Sequence, residues 1–138
     1  MVKTMARTRV LVAYEDGYRT HREVIAAGVR LLRPHTEVRA AGPAKLGAEL
    51  ERFGPHVVVC GVTGHPDPGH TPAWVELPPE VGQSVRVRVG DRRREAPGLT
   101  MEELRGVIDE AEELVRARAG RADLRGPLGG GKGGRPSS

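Results

Sequence analysis

Two features of this 138-residue chain predict an α/β fold. Strand-like and helix-like stretches alternate from residue 9 to residue 61, and two of the strand-like stretches are apolar at nearly every position. A strand that is apolar throughout must be covered on both faces, as at the centre of a parallel sheet. The alternation strand, helix, strand, helix, strand then implies right-handed crossovers and a parallel core sheet of order 2-1-3. Two further strands and a C-terminal amphipathic helix complete a three-layer arrangement.

The first strand is Arg9 to Tyr14, Arg-Val-Leu-Val-Ala-Tyr, and it ends at Glu15-Asp16-Gly17. The spacing of Tyr18, His21, Ile25, Val29 and Leu32 puts them on one face of a helix over 18–32, which Pro34 stops. Glu37 to Ala41 is a short second strand. Gly42-Pro43 opens a second helix with a buried stripe of Leu46, Leu50 and Phe53, and Gly54-Pro55 closes it. His56 to Gly61, His-Val-Val-Val-Cys-Gly, is the third strand. Residues 62–72 hold too many prolines and glycines for a helix and predict a long loop. Ala73–Leu77 and Val85–Val89 follow as strands. Their connection is too short for a parallel crossover, so an antiparallel hairpin is the simpler path. Val85, Val87 and Val89 alternate with Arg86 and Arg88, which predicts a strand with one wet face near the sheet edge. Thr100-Met101-Glu102-Glu103 is a capping box that starts an amphipathic helix to about Arg118. Residues 1–8 read as a flexible N-terminus, 9–119 as one domain, and 120–138 as a disordered Gly-rich basic tail.

Composition narrows the function classes. Hydrophobic residues at 38% and charged residues at 29% suit one packed domain and exclude a wholly disordered chain. Aromatic residues at 3% give no stacking platform for single-stranded nucleic acid. The single cysteine excludes an internal disulfide framework and a multi-cysteine zinc site. The net charge of +4 resides at the ends: Lys3, Arg7 and Arg9 fall in the first nine residues, and Arg121, Arg125, Lys132 and Arg135 outnumber Asp123 after residue 119. The stretch 10–119 is left mildly acidic, so no specific nucleic-acid binding is expected. No apolar run approaches the roughly 20 residues that span a bilayer, and no signal-peptide core precedes the first strand, so the expected location is the cytoplasm, without a membrane partner.

The pair Glu15-Asp16 sits at the carboxyl end of the first strand. In open α/β sheets ligands bind at that edge, beside the point where strand order reverses. Two adjacent carboxylates there can hold a divalent cation such as Mg2+, and they repel phosphate. The same residues also suit an acidic helix cap. Val10-Leu11-Val12-Ala13-Tyr14-Glu15-Asp16, together with Phe53-Gly54-Pro55-His56-Val57-Val58-Val59-Cys60-Gly61, resembles a response-regulator receiver domain, over residues 9–61. That resemblance implies a flavodoxin-like fold whose first strand ends in a metal-binding acidic pair and whose third strand ends in a phospho-acceptor aspartate. Here the acceptor position is Gly61, with Cys60 beside it. The family's Ser or Thr would fall near Pro78-Pro79 and its Lys near Gly90-Asp91, and neither is present. The resemblance therefore implies a degenerate pseudo-receiver that lacks the nucleophile and the compensating cation of aspartyl phosphorylation.

Other groupings carry less. Cys60, His65, Asp67 and His70, with His56, are transition-metal ligand types, yet their spacing fits no established motif. Gly61-Val62-Thr63-Gly64 could offer backbone amides to an anion. Arg86, Arg88, Arg92, Arg93 and Arg94 suit either a basic edge for an acidic partner or a guard against strand pairing. Trp74 reads as packing. The expectation is a non-enzymatic signalling or protein-interaction module, with a protein partner or a homodimer and no cofactor beyond Mg2+ at Glu15 and Asp16. The alternative is a small-ligand or divalent-metal-binding α/β protein, with hydrolysis in its range, using the acidic pair and the 61–72 loop.

Overall fold

The computed structural model describes residues 7–128 except 63 and 81. Its elements are β1 (Arg9–Ala13), α1 (Arg19–Leu32), β2 (Glu37–Ala41), α2 (Pro43–Arg52), β3 (Val57–Cys60), β4 (Ala73–Glu76), β5 (Val85–Val89), β6 (Arg92–Ala96) and α3 (Met101–Leu128), with a short 3-10 turn over Asp16–Tyr18 before α1. The strands form one mixed sheet of order β2-β1-β3-β4-β5-β6. β2, β1, β3 and β4 run parallel, and β5 and β6 are antiparallel to their neighbours. The α/β class, the 2-1-3 core and the hairpin between the fourth and fifth strands are all present.

The period-2 geometry of a strand sorts alternate residues into two cores. Val10 and Val12 of β1, Val57 and Val59 of β3, Ala73 and Val75 of β4 and the three valines of β5 face one side. There Ile25, Ala26 and Val29 of α1 and Leu104, Val107, Ile108 and Ala111 of α3 cover them. Leu11, Ala13, Val58, Cys60 and Trp74 face the other side, under Leu46 and Phe53 at α2. β3 and, after Arg9, β1 are apolar because both of their faces are covered. Gly28 of α1 faces the start of α3, where an added Cβ would lie 2.5 Å from Met101 Cε and displace that flexible side chain.

Helix ends follow local chemistry. Pro43 occupies the start of α2, where its missing N–H costs nothing, and Gly54 takes the left-handed φ of +59° after that helix. At α3 the Thr100 amide donates to Glu103 Oε1 at 2.8 Å and the Glu103 amide donates to Thr100 Oγ1 at 3.1 Å, the reciprocal pair of a capping box.

Four expectations need correction. A sixth strand, β6, lies outside β5, so the sheet has six strands rather than five and β5 is next to the edge. Arg88 of β5 is buried at 4% exposure rather than on a wet face. Thr8 is fixed rather than flexible: its hydroxyl donates to Glu112 of α3 at 2.6 Å and its carbonyl accepts from the Glu37 amide at 2.9 Å. Finally, α3 continues to Leu128 rather than ending near Arg118. The alanines at 117, 119 and 122 favour helix and carry it past Gly120, which costs about 1 kcal/mol, as far as the helix-breaking Gly126-Pro127 pair. The rest of the expected flexible ends, 1–6 and 129–138, lies outside the described residues. Among the described residues no helix is long and apolar enough to cross a membrane.

The capping box makes Thr100→Ala a clean probe of α3. Urea unfolding should show a loss of about 1 kcal/mol, with an unchanged slope.

Candidate functional site

At the carboxyl edge of the parallel core, the crevice between β1 and β3 is occupied by Tyr14. The residue is fully buried, and its hydroxyl donates to the Leu77 carbonyl at 2.7 Å, beyond the end of β4. The ring passes over Gly61 so closely that a Cβ there would lie 2.0 Å from Tyr14 Cε2. His21 of α1 meets the ring edge-on, with centroids 4.9 Å apart. Burial, with a smaller contribution from Cys60, pushes the phenol far above its ordinary range, so it stays a neutral hydrogen-bond donor. Gly61, the position that the receiver resemblance aligns with a phospho-acceptor, is thus a glycine that makes room for an aromatic ring.

The acidic pair lies outside this plug. Asp16 begins the 3-10 turn, and its side chain is 88% exposed, with Oδ1 3.6 Å from Arg22 Nη1. Arg22 also donates to the Tyr14 carbonyl at 3.0 Å. Glu15 precedes the turn in extended conformation, and neither Glu15 nor Tyr18, the two cap positions here, makes a side-chain cap bond. Among the described residues no three His, Cys, Asp or Glu side chains come together as a metal centre would need.

The second ligand group is dispersed. His56 sits at the opposite end of β3, where its Nδ1 accepts from the Arg9 amide at 2.9 Å. Burial first, and then the Arg9 charge, hold its pKa below the usual value. Cys60 is buried, and that burial pushes its thiol up, so it is not the thiolate that nucleophilic chemistry requires. His65 lies flat along Trp74, ring centroids 6.1 Å apart and planes 11° from parallel. His70 is exposed. Thr63, in the glycine-bearing loop, lies outside the described residues.

Asp67 has a different partner, one that sequence reasoning missed. Its carboxylate takes a forked pair of bonds from Arg88, with Nε–Oδ2 at 2.5 Å and Nη2–Oδ1 at 3.1 Å. Arg88 also donates to Thr71 Oγ1 at 2.9 Å and to the Gly90 carbonyl at 2.8 Å. Burial alone would raise the Asp67 pKa. The hydrogen bonds from Arg88 and the Gly69 amide, with the charges of Arg88 and Arg93, outweigh it and hold the carboxyl below the usual range. This ion pair ties the Pro-rich loop to the sheet.

The result, among the described residues, is a sheet face with loop and no helix above it. On the α2 side, Trp74, Glu76, Arg86, Arg88, Arg93 and Glu95 of β4–β6 line a groove of about 610 Å³ walled by Pro66 and Asp67. Arg86 is shared by Glu76 and Glu95, each at 3.4 Å. Arg94 points to the other side, 3.7 Å from Glu110 of α3. Among the described residues Arg93 has no carboxylate within ion-pair distance. A two-residue turn at Gly90-Asp91, with Gly90 at φ +62°, pairs Val89 with Arg92 and brings β6 into the sheet. That Gly-Asp dipeptide after an alternating strand is the one sequence signal that could have revealed β6.

Two predictions follow from this geometry. Gly61→Ala should destabilise the fold by about 1–3 kcal/mol. In a double-mutant cycle, Tyr14→Ala should remove most of that penalty, because the clash is with the ring. Asp67→Asn should cost on the order of 3 kcal/mol, since it leaves a buried guanidinium without its anion. The wild-type contribution of Asp67 is complete above the ordinary carboxyl pKa and is lost as pH falls through its depressed folded value. Acid unfolding of the Asn variant, followed by circular dichroism, should therefore show a flatter low-pH limb than wild type.

Comparison with protein-family models, with curated proteins and with solved structures returned no match to this chain, so its function has to be read from geometry.

Proposed function

We propose that this chain is a non-enzymatic signalling or protein-interaction module of receiver-like, flavodoxin-like build, and that it works through the open face of β4–β6 rather than through its crevice. The observation that carries this reading is Tyr14 lying over Gly61. It sets a neutral, buried ring where a receiver would carry its reactive carboxylate. The high thiol pKa at Cys60 and the dispersal of the histidines argue in the same direction.

The groove on β4–β6 supports the choice of surface. Its floor is fixed by the Arg88–Asp67 pair, and β6 leaves one strand edge open. A row of unpaired backbone groups favours an added strand, and Arg93, with no carboxylate within ion-pair distance among the described residues, favours a carboxylate on it. The partner is therefore an extended acidic protein segment.

The test uses a capped peptide of alternating valine and glutamate. Binding is followed through Trp74, the one tryptophan of the chain. Saturable binding that weakens with salt, is lost in Arg93→Glu and persists in Glu15→Ala/Asp16→Ala is the expected result. Absence of binding would overturn the choice of surface. A covalent phosphoryl adduct after incubation with acetyl phosphate and Mg2+, or a melting temperature that rises with Mg2+ only while Glu15 and Asp16 are intact, would overturn the non-enzymatic reading.

A further inference from the structure

The exposed large hydrophobic residues among the described part of the chain are Tyr18 at 38%, Val24 at 63% and Leu31 at 80%, and all three fall on the 3-10 turn and α1. Elsewhere the fold hides its apolar side chains well. α1 buries Ile25, Ala26 and Val29 against the sheet. At 100° per residue, the opposite side of the helix carries Thr20, Val24, Ala27 and Leu31, spaced by four, three and four residues, and all four are exposed. α1 thus has two apolar stripes, one of which no other described residue covers. A contiguous exposed stripe of this kind marks an interaction surface far more often than scattered single residues do.

The charges beside the stripe identify the occupant. Glu23 and Arg30 flank it on one side, seven residues apart, which is about 10 Å along the helix. Glu23 is exposed, and among the described residues it has no ion-pair or hydrogen-bond partner. Arg30 is also exposed, and its Nη2 reaches only the Val38 carbonyl, at 3.2 Å. The other flank carries His21, at the Tyr14 ring, and Gly28, against Met101.

Consider a second α1 laid face to face and antiparallel, with the two-fold axis at Ala27. The symmetry keeps each flank beside its own copy and reverses its direction. Val24 of one copy then meets Leu31 of the other, and Glu23 meets Arg30, each pair twice. Ala27 at the crossing allows close approach. A parallel arrangement would set the charged flank against His21 and Gly28 and match nothing. The stripe is therefore self-complementary in one orientation.

We infer that α1 is a homodimer surface: two copies of this chain associate through antiparallel α1 helices, with Val24, Ala27 and Leu31 at the centre and reciprocal Glu23–Arg30 pairs at the rim. Five residues per copy make a small interface, which places the dimer among weak, reversible ones. It is independent of the β4–β6 face, which lies at the other end of the strand order.

Analytical ultracentrifugation of the full chain from micromolar to millimolar concentration tests it. The expected result is a monomer–dimer equilibrium that Leu31→Glu abolishes. Thermal unfolding of the dilute Leu31→Glu variant should match dilute wild type, because an 80% exposed side chain holds little of the monomer together. Glu23→Arg and Arg30→Glu should each weaken association by about fivefold, the sum of two rim pairs. The double reversal Glu23→Arg/Arg30→Glu should restore it. A monomer at every concentration would overturn the inference, as would a dimer indifferent to Leu31→Glu. Failure of the double reversal to restore association would overturn the antiparallel arrangement. Peptide binding at β4–β6 is read separately, in dilute monomer, so either proposal can fail without the other.

Discussion

The crossover from β3 to β4 contains no helix, and a buried guanidinium does the holding that a helix would do. A parallel connection must climb over one face of the sheet and return, and β1–α1–β2 and β2–α2–β3 do so with an amphipathic helix that buries its stripe on the way. Residues 61–72 have no such stripe. They have Asp67, and beneath it β5 offers Arg88, which ties the loop down through the carboxylate, Thr71 and the Gly90 carbonyl. The desolvation of Arg88 is offset because four donor–acceptor contacts converge on one planar group, the geometry at which arginine exceeds lysine. Without that anchor, β4 would lose its covering on the α2 side, and Trp74 would lose the His65 ring that lies along it.

What the sequence made legible follows from which interactions are periodic. Val10–Val12 and Val57–Val59 announce a doubly covered core because burial on both faces writes itself into every residue of a strand. The Thr100–Glu103 box and the Pro43, Gly54 and Pro55 punctuation are local chemistry, read within a turn. Arg88 could not be read in this way. In Val-Arg-Val-Arg-Val the two arginines are equivalent by pattern, and only the three-dimensional return of Asp67, twenty-one residues away in sequence, separates the buried one from its exposed neighbour Arg86. β6 was hidden for a related reason. Arg-Arg-Arg-Glu-Ala has no apolar alternation, since an edge strand exposed along its length need not bury anything, and its pairing is set by the Gly90-Asp91 turn. The second stripe on α1 was hidden because Val24 and Leu31 lie among apolar neighbours, where spacing alone does not say which stripe meets the sheet.

The carboxyl end of the parallel core shows how one aromatic side chain can close a sheet from within. At the carboxyl ends of parallel strands the backbone leaves a gap that a ligand or a reactive side chain ordinarily fills. Here the part of the gap over Gly61 is filled from within, and a cavity of about 500 Å³ remains beside it, lined by Cys60, Val62, Glu76 and Pro78. Tyr14 continues β1 past its last ladder bond, and its hydroxyl reaches Leu77, so one side chain ties together the ends of β1, β3 and β4. Gly61 is the steric condition for that path. The acidic pair is left on the rim, where Asp16 sits near Arg22 and opposite charge is already supplied by the protein.

Charge placement gives the same division of labour on a larger scale. The sheet ends in β6 on one side, rich in arginine, and in β2 and α1 on the other, where the exposed face is apolar with one acid and one base beside it. Arginines along an edge repel a second copy of the same edge, which protects against pairing of like with like. The same charges attract an acidic strand. α1 presents the reverse case: its flanking charges are opposite in sign and symmetric about Ala27, so they favour a second copy and give nothing to a uniformly acidic or basic partner. On the two proposed surfaces, the β6 edge rejects a second copy of itself and the α1 face accepts one, an asymmetry that would let a small domain pair with its own kind without stacking its sheets into a fibre.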